Sequence, residues 1–390
     1  MKKKNLILII IPVTIMIGCG GNKQSASDLI KVDVTANYPK KELILQDFAD
    51  VEYIPLETND EFVTQGRIGG IGEKYLVILN MGDDGNVFIF DRNGKGIRKI
   101  NRRGQSGEEY IYPHNVILDE DNEEVMIDDG SKQAIFVYDL FGNFKRKLNH
   151  IENLRYYGKT LNFNKECLLF WNSNFEFPSL NPVEMPSFFI ISKQDGIILK
   201  EIEIPIKQRE STIIKTKYGL YSTAYNSIIP YKDQFILFEP SSDTIYSYSL
   251  SHQLKPIIVR NPSVHSMDPK IFLFPGTVTE RYYFMKFTKN DFTKEINFAK
   301  GEKLPETELV YDRETKTLYE SAVLNGDYST KNIVSMTDYF FVNQEIAMYL
   351  FAHKLIDDYK KGILKGKLAE IAATLKEDDN PVIMLIKQKK

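Results

Sequence analysis

The sequence predicts an all-β fold, a β-propeller, and three observations carry that prediction. One pattern is written twice without a gap, 48 residues apart, as Val87-Phe-Ile-Phe-Asp91-Arg-Asn-Gly94-Lys-Gly-Ile-Arg98-Lys99-Ile100 and Ile135-Phe-Val-Tyr-Asp139-Leu-Phe-Gly142-Asn-Phe-Lys-Arg146-Lys147-Leu148. The same offset carries Val77-Ile-Leu-Asn80-Met-Gly82 onto Val125-Met-Ile-Asp128-Asp-Gly130. A further run, Asn115-Val-Ile-Leu-Asp119, stands between the copies. Each unit is a β-branched and aromatic run, a Gly turn, a second run ending in Asp, a tight Gly turn and a basic third run. Four short antiparallel strands in about 40 to 50 residues make one propeller blade.

Composition agrees. Hydrophobic residues at 43% and charged residues at 26% permit a core of ordinary size, and 22 Tyr and 24 Phe against one Trp suit pleated surfaces. A net charge of -3 argues against a nucleic-acid surface, which needs a basic excess.

At the amino terminus Lys2, Lys3 and Lys4 precede an apolar run from Leu6 to Ile17 and then Gly18-Cys19. A basic region, an apolar run too short for a comfortable span and a small residue before the cut describe a secretory signal over residues 1–18. Cys19 directly after that small residue resembles a bacterial lipobox, with Met16 departing from the usual Leu or Val. The resemblance implies that Cys19 is lipidated, and the small polar residues that follow read as a tether over 19–40. Cys167 is the other cysteine. With Cys19 acylated no intramolecular disulfide forms, and Cys167 reads as a small hydrophobe in a strand.

From residue 41 onward the chain reads as propeller. Glu42–Leu45 and Val51–Leu56 are extended runs, with Pro55 confining the second to a position where no ladder donor is needed. Residues 66–103 form a first blade and 114–148 a second, joined by a Gly-punctuated loop, Arg102-Arg-Gly104-Gln-Ser106-Gly107-Glu108-Glu109-Tyr110. Val51-Glu-Tyr-Ile-Pro-Leu-Glu-Thr58, the turns at 90–94 and 138–142 and this loop together resemble the six-bladed, NHL-like β-propeller lipoproteins of Bacteroidetes. Ser106, Gly107 and Glu108 depart from that family's commoner Gly-Pro-Gly. The resemblance implies six blades and an envelope location, with the outer membrane the expected site, and no shared activity.

A third blade reads from Cys167–Asn172, Phe188–Ser192 and Ile197–Ile204, with a Pro-rich insertion from Ser173 to Pro186. The fourth reads from Gln234–Phe238, Asp243–Tyr248 and Pro256–Val259, and the fifth from Tyr282–Met285, Glu308–Asp312 and Lys316–Tyr319. Beyond Asp338–Val342 the spacing of Ile346, Tyr349, Leu350 and His353 predicts a helix, and Leu368, Ile371, Ala372 and Leu375 a second. A short helical insertion is thus expected at about 344–377, before a last strand at Val382–Ile386. Only five blades can be read internally. Pairing of Val51–Leu56 with Val382–Ile386 would complete the sixth from opposite ends of the chain.

No two of the five His stand at a metal-pair spacing. The acidic groups Asp83-Asp84, 119–124 and Asp128-Asp129 do not follow a calcium-loop order and read as hairpin turn chemistry. Nucleophile-elbow, phosphate-loop and dinucleotide motifs are missing, so no catalytic residue, metal ligand or cofactor is assigned. Arg98-Lys99 and Lys145-Arg-Lys147 read as solvated edge strands. Trp171, Phe175 and Phe177 are the candidate ligand contacts, since aromatic faces stack on sugars or pack on a partner; the alternative is a loop folded back on its own blade. The function expected is that of a lipid-anchored, monomeric, non-enzymatic binding or scaffold propeller engaging a protein partner, a glycan or a nutrient fragment at one face. The alternative is a metal-dependent six-bladed hydrolase or lactonase, with Glu, Asn and Asp ligands at the central channel.

Overall fold

A computed structural model describes residues 29–64, 67–80, 84–152, 154, 157–173, 185–216, 219–221, 223, 225–290, 304–338, 340–342 and 345–389. The chain opens with β1 (Ile30–Asp33), β2 (Lys40–Ile44), the single turn α1 (Leu45–Phe48) and β3 (Ala49–Pro55). Blade 1 follows as β4 (Arg67–Ile71), β5 (Tyr75–Leu79), β6 (Val87–Asp91) and β7 (Gly96–Ile100), and blade 2 as β8 (Asn115–Asp119), β9 (Glu124–Asp129), β10 (Ala134–Asp139) and β11 (Phe144–Asn149). Blade 3 is β12 (Tyr157–Asn162), β13 (Cys167–Asn172), β14 (Phe188–Ser192) and β15 (Ile198–Ile202), trailed by a small hairpin, β16 (Ile214–Thr216) and β17 (Gly219–Tyr221). Blade 4 is β18 (Ile228–Tyr231), β19 (Gln234–Leu237), β20 (Thr244–Ser249) and β21 (Leu254–Asn261). Blade 5 is β22 (Ile271–Val278), β23 (Tyr282–Lys289), β24 (Glu306–Asp312) and β25 (Thr317–Leu324). Blade 6 takes β26 (Phe340–Val342), β27 (Glu345–Leu350) and β28 (Val382–Gln388), with β3 on its outer side.

The six blades form a propeller ring, and the core lies between them. Both faces of the inner strands are covered, so strands such as β5, β6 and β10 read as continuous apolar runs rather than alternating ones. In β5 and β6, Val77, Leu79, Val87 and Ile89 pack toward blade 2, while Ile78, Phe88 and Phe90 pack toward blade 6. Near the axis there is little room: a Cβ on Gly70 would lie 2.5 Å from that of Leu118. The repeated Asp-x-x-Gly turns behave as read. Asp91 Oδ1 accepts the N–H groups of Asn93 and Lys95 at 2.8 and 2.9 Å, and Gly94 adopts φ +84°.

The ring closes as its strand count required. β3 pairs antiparallel with β28, from Ala49 opposite Gln388 to Pro55 opposite Val382. The amino-terminal segment does more than that. β1 adds in parallel to β21 at the outer edge of blade 4, and β2 in parallel to β25 at blade 5. Residues 30–40, expected as part of a tether, instead carry β1 and the start of β2, and residues 30–55 strap three successive blades.

The first expected helix is corrected. Ile346, Tyr349 and Leu350 lie in strand β27, and helix starts only at α2 (Ala352–Lys360), followed by α3 (Gly366–Ala372). Ile346, Met348 and Leu350 pack on one side of the strand, and Ala347 and Tyr349 on the other. A strand apolar on both faces satisfies a helical spacing as readily as a strand's. The basic outer strand of blade 2 also differs from a wholly solvated edge. Arg146 is half-buried, binds both oxygens of Glu124 at 2.7 Å and donates from Nε to Lys193 O of blade 3 at 2.8 Å. Cys167 sits half-buried at the start of β13, where burial pushes its thiol up.

Candidate functional site

Antiparallel order within each blade sends its connections to opposite rims of the ring. First-to-second and third-to-fourth connections, such as 72–74, 92–95, 120–123, 140–143 and 250–253, are tight turns. Second-to-third and blade-to-blade connections emerge on the other side, and they include 101–114, 203–227, 325–339 and the helical insertion 351–381. One face is thus a turn face and the other a loop face, and long loops on a rigid scaffold are where binding groups are carried.

Across blades 1 and 2 the loop face is stiffened by the Gly-rich loop. Tyr110 is fully buried; its hydroxyl donates to Gly85 O at 2.7 Å and accepts from Arg102 N at 3.1 Å. Its ring meets Tyr138 edge to face at 6.2 Å, and Tyr138 donates to Glu108 O at 2.7 Å. Lys132 Nζ gathers the carbonyls of Ser106 and Glu109, each at 2.6 Å. The acidic groups serve this same framework: Asp129 Oδ2 accepts from Ile111 N and Tyr112 N, and buried Asp128 meets His150 Nε2 at 2.8 Å. Among the described residues no three His, Cys, Asp or Glu side chains gather to hold a metal ion.

At the seam between blades 6 and 1 the loop face opens into a cleft of about 640 Å³. Its first wall is the connection from β3 to β4, which carries Asp60, Glu61 and Val63. That connection is fixed by Phe62, packed on Phe88 and Phe90 at 5.9 and 5.5 Å, and by Asn59 Oδ1, which accepts from Glu61 N and Phe62 N. Asn380, buried beside β28, donates from Nδ2 to Glu57 O and Phe62 O and accepts from Thr64 N. The cleft then crosses the strand ends of blade 1: Arg67 on β4, Asn80 after β5, Asp84 and Asn86 before β6, Phe88 on β6 and Lys99 on β7. Asn80 is oriented by Thr64 and by Asp84, the latter at 2.8 Å. Asp84 Oδ1 accepts from Asn86 N at 3.0 Å, and Asn101 Nδ2 donates to Asn86 Oδ1 at 2.8 Å.

Tyr349 of β27 completes the lining. Its hydroxyl oxygen is buried without a hydrogen-bond partner among the described residues. Burial pushes that phenol far up, against the pull of the Arg67 cation, and burial likewise lowers Arg67 from the usual guanidinium value. Lys99 Nζ stands 5.8 Å from the Phe88 ring centre. The cleft is therefore a sidewall-fixed trough with side chains of both charge signs along a largely apolar wall, suited to holding a ligand by a few directed hydrogen bonds.

Of the aromatic candidates, Trp171 falls elsewhere on the same face. Trp171, next to the last residue of β13, lies in a cluster reaching over three blades: it meets Tyr225 edge to face at 5.7 Å, and Tyr225 stacks on Phe274 at 5.2 Å. Phe175 and Phe177 lie outside the described residues, as does Cys19. Two inward polar groups had no sequence signal. Glu239 is buried, which raises its carboxyl against hydrogen bonds from Ser187 and Ser241 and the Arg209 charge. On β12, burial lowers Lys159 to about 7, and its Nζ donates to Asn226 Oδ1 at 3.0 Å. The cleft residues were equally hidden, because Tyr349 and Lys99 meet only through ring closure.

Residues 29–387 match the family model described as Domain of unknown function (DUF4934). The chain belongs to this family. Among solved structures, the DUF4934 chain is similar to a Bacteroides fragilis protein described as exported, at 16% identity and a TM-score of 0.58, covering 93% of this chain and 99% of that one. It is also similar to a member of the DUF4221 family from Bacteroides vulgatus, at 12% identity and a TM-score of 0.43, covering 87% and 97%. The first likeness supports the six-bladed ring of the DUF4934 chain over nearly its whole length. No curated protein matches it.

Proposed function

We propose that this DUF4934 chain is an exported, lipid-anchored binding propeller of the bacterial envelope, without catalytic activity, that engages its ligand on the loop face. The observation that carries the reading is the asymmetry of the ring among the described residues: tight turns on one side, and on the other the long connections together with the cleft at the blade 6 to blade 1 seam. A rigid, strapped scaffold that concentrates its variable loops on one side is built for recognition. The basic start, apolar run and Gly18-Cys19 support export and lipidation, and the description of the Bacteroides fragilis relative in fold supports export alone.

Three variants of the full chain test this. Charge reversal on the loop face, Lys99→Glu with Lys376→Glu, is expected to abolish capture of the native ligand from envelopes in mild detergent. Reversal on the turn face, Lys74→Glu with Lys165→Glu, is expected to leave capture intact. Equal capture by both double variants would remove the loop face from the function. Cys19→Ala is expected to move the protein from the membrane fraction to the soluble one; a variant that stays membrane-bound with unchanged mature mass would end the lipoprotein reading.

A further inference from the structure

The cleft at the blade seam has a shape and a set of open hydrogen-bonding groups that narrow its ligand, given the loop-face reading above. It runs radially, from Arg67 on the innermost strand of blade 1 to Lys99 on the outermost. Three strand spacings of about 4.8 Å give a trough about 14 Å long. That length suits a short linear chain of rings, and the 640 Å³ volume falls within the range of small-ligand sites.

The polar groups divide into those already used and those left open. Asn80 and Asp84 orient one another and the loop behind them. Left open among the described residues are the Lys99 ammonium, which has no carboxylate partner, and the exposed carboxylates of Asp60 and Glu61, which have no cation. The Tyr349 hydroxyl has no partner either. A simple anion placed here would face Asp60, Glu61 and Asp84, and a simple cation would face Lys99 and Arg67. A neutral polyol meets both sets, because each of its hydroxyls donates and accepts. An extended peptide is the poorer fit. Its backbone is recognised by a free strand edge, whereas this trough crosses strand ends and offers side chains.

We propose that the trough over blade 1 binds a neutral linear oligosaccharide, with Lys99 and the Asp60 and Glu61 carboxylates taking its hydroxyls and the Tyr349 hydroxyl completing the floor. Because Tyr349 belongs to blade 6 and the other groups to blade 1 and its leading connection, an occupied trough bridges the closing seam. Binding should then raise the melting temperature, since the ligand binds the native ring and not the unfolded chain.

The test uses the full chain in mild detergent, with isothermal titration and thermal melting against cellotetraose, maltotetraose, xylotetraose, mannotetraose and tetra-N-acetylchitotetraose. Tetragalacturonate is the anionic comparator and tetraalanine the peptide one. At least one neutral tetrasaccharide is expected to bind and to raise the melting temperature. Lys99→Met and Tyr349→Phe break no hydrogen bond within the described chain, so each should melt like the parent when unliganded yet bind about tenfold more weakly, the equivalent of one hydrogen bond. Lys165→Glu on the turn face should change nothing. Failure of all five neutral sugars, or neutral binding unchanged in both trough variants, overturns the proposal. Binding of tetragalacturonate or tetraalanine alone, lost in Lys99→Met, also overturns it while leaving the loop face as the binding face.

Discussion

Val51 lies opposite Ile386 in the outer ladder of blade 6, so the last sheet of the ring is made from both ends of the chain. Five buried apolar side chains, Val382 to Ile386, sit on the carboxy-terminal strand. At about 2 kcal/mol each their loss approaches the whole stability of a typical domain. Deleting residues 381–390 is therefore expected to abolish the cooperative melt. Deleting residues 25–31, which a tether would tolerate, should now cost a few degrees, because Ile30 and Lys31 pair with Ile258 and Val259. Calorimetry decides: a carboxy-terminal truncation that melts near the parent would contradict closure by this strand.

Tyr110→Phe should destabilise the ring by about 1–3 kcal/mol, the cost of leaving buried Gly85 O and Arg102 N without their partner. Tyr138→Phe removes one bond at a less buried site and should cost less. Denaturant titration ranks the two, and an equal or reversed order would refute Tyr110 as the stronger of the two tyrosine latches on the Gly-rich loop.

What was legible in the sequence tracks local chemistry. Blades 1 and 2 announce themselves because Asp91 and Asp139 cap tight turns with Gly94 and Gly142 at positive φ. The innermost strands of blades 3 to 5 do not: β12 is Tyr-Gly-Lys-Thr-Leu-Asn, β18 holds Pro230, and β22 bends at Pro275-Gly276, where its register shifts. The helix placed over Ile346 to Leu350 failed because a strand buried on both faces carries no period to read. The trough was illegible for a different reason. Lys99 looked like an edge lysine and Tyr349 like a helix residue, and only closure of the ring sets them around one cleft.

Asp312 gives the fold an acid limit. Burial opposes its ionisation, but hydrogen bonds from Arg281 and Lys41, at 2.9 and 3.1 Å, outweigh that and hold it at about 2. Its unfolded value is about 3.9, so its stabilising contribution is complete above that pH and is lost as pH falls toward 2. Asp312→Asn should thus lower the melting temperature at pH 7, with the gap to wild type closing between about pH 4 and pH 2. A gap undiminished at pH 2.5 would show that Asp312 acts by packing alone.

Asn380 ties ring closure to the trough, and its chemistry makes the last prediction directional. Its Nδ2 donates to Glu57 O at 2.6 Å and Phe62 O at 2.8 Å, its Oδ1 accepts from Thr64 N at 2.8 Å, and its own N–H donates to Thr58 Oγ1 at 2.8 Å. The side chain is buried, so the connection carrying Asp60 and Glu61 is held by one carboxamide next to the closing strand. Asn380→Ala removes the side chain's three hydrogen bonds, to Glu57 O, Phe62 O and Thr64 N, and should cost about 2–4 kcal/mol. Asn380→Asp keeps size and shape and still accepts from Thr64, yet it turns a carboxylate oxygen toward two carbonyl oxygens. Repulsion and the burial of a charge are then added to the lost bonds. Aspartate, the more conservative change in shape, is therefore expected to be the more damaging at pH 7, and to recover toward the Ala variant as pH falls and the carboxyl takes up a proton. Thermal melts of both variants across pH 4 to 8 measure this directly. An Asp variant as stable as wild type at pH 7 would mean that the donor role assigned to Nδ2 is wrong.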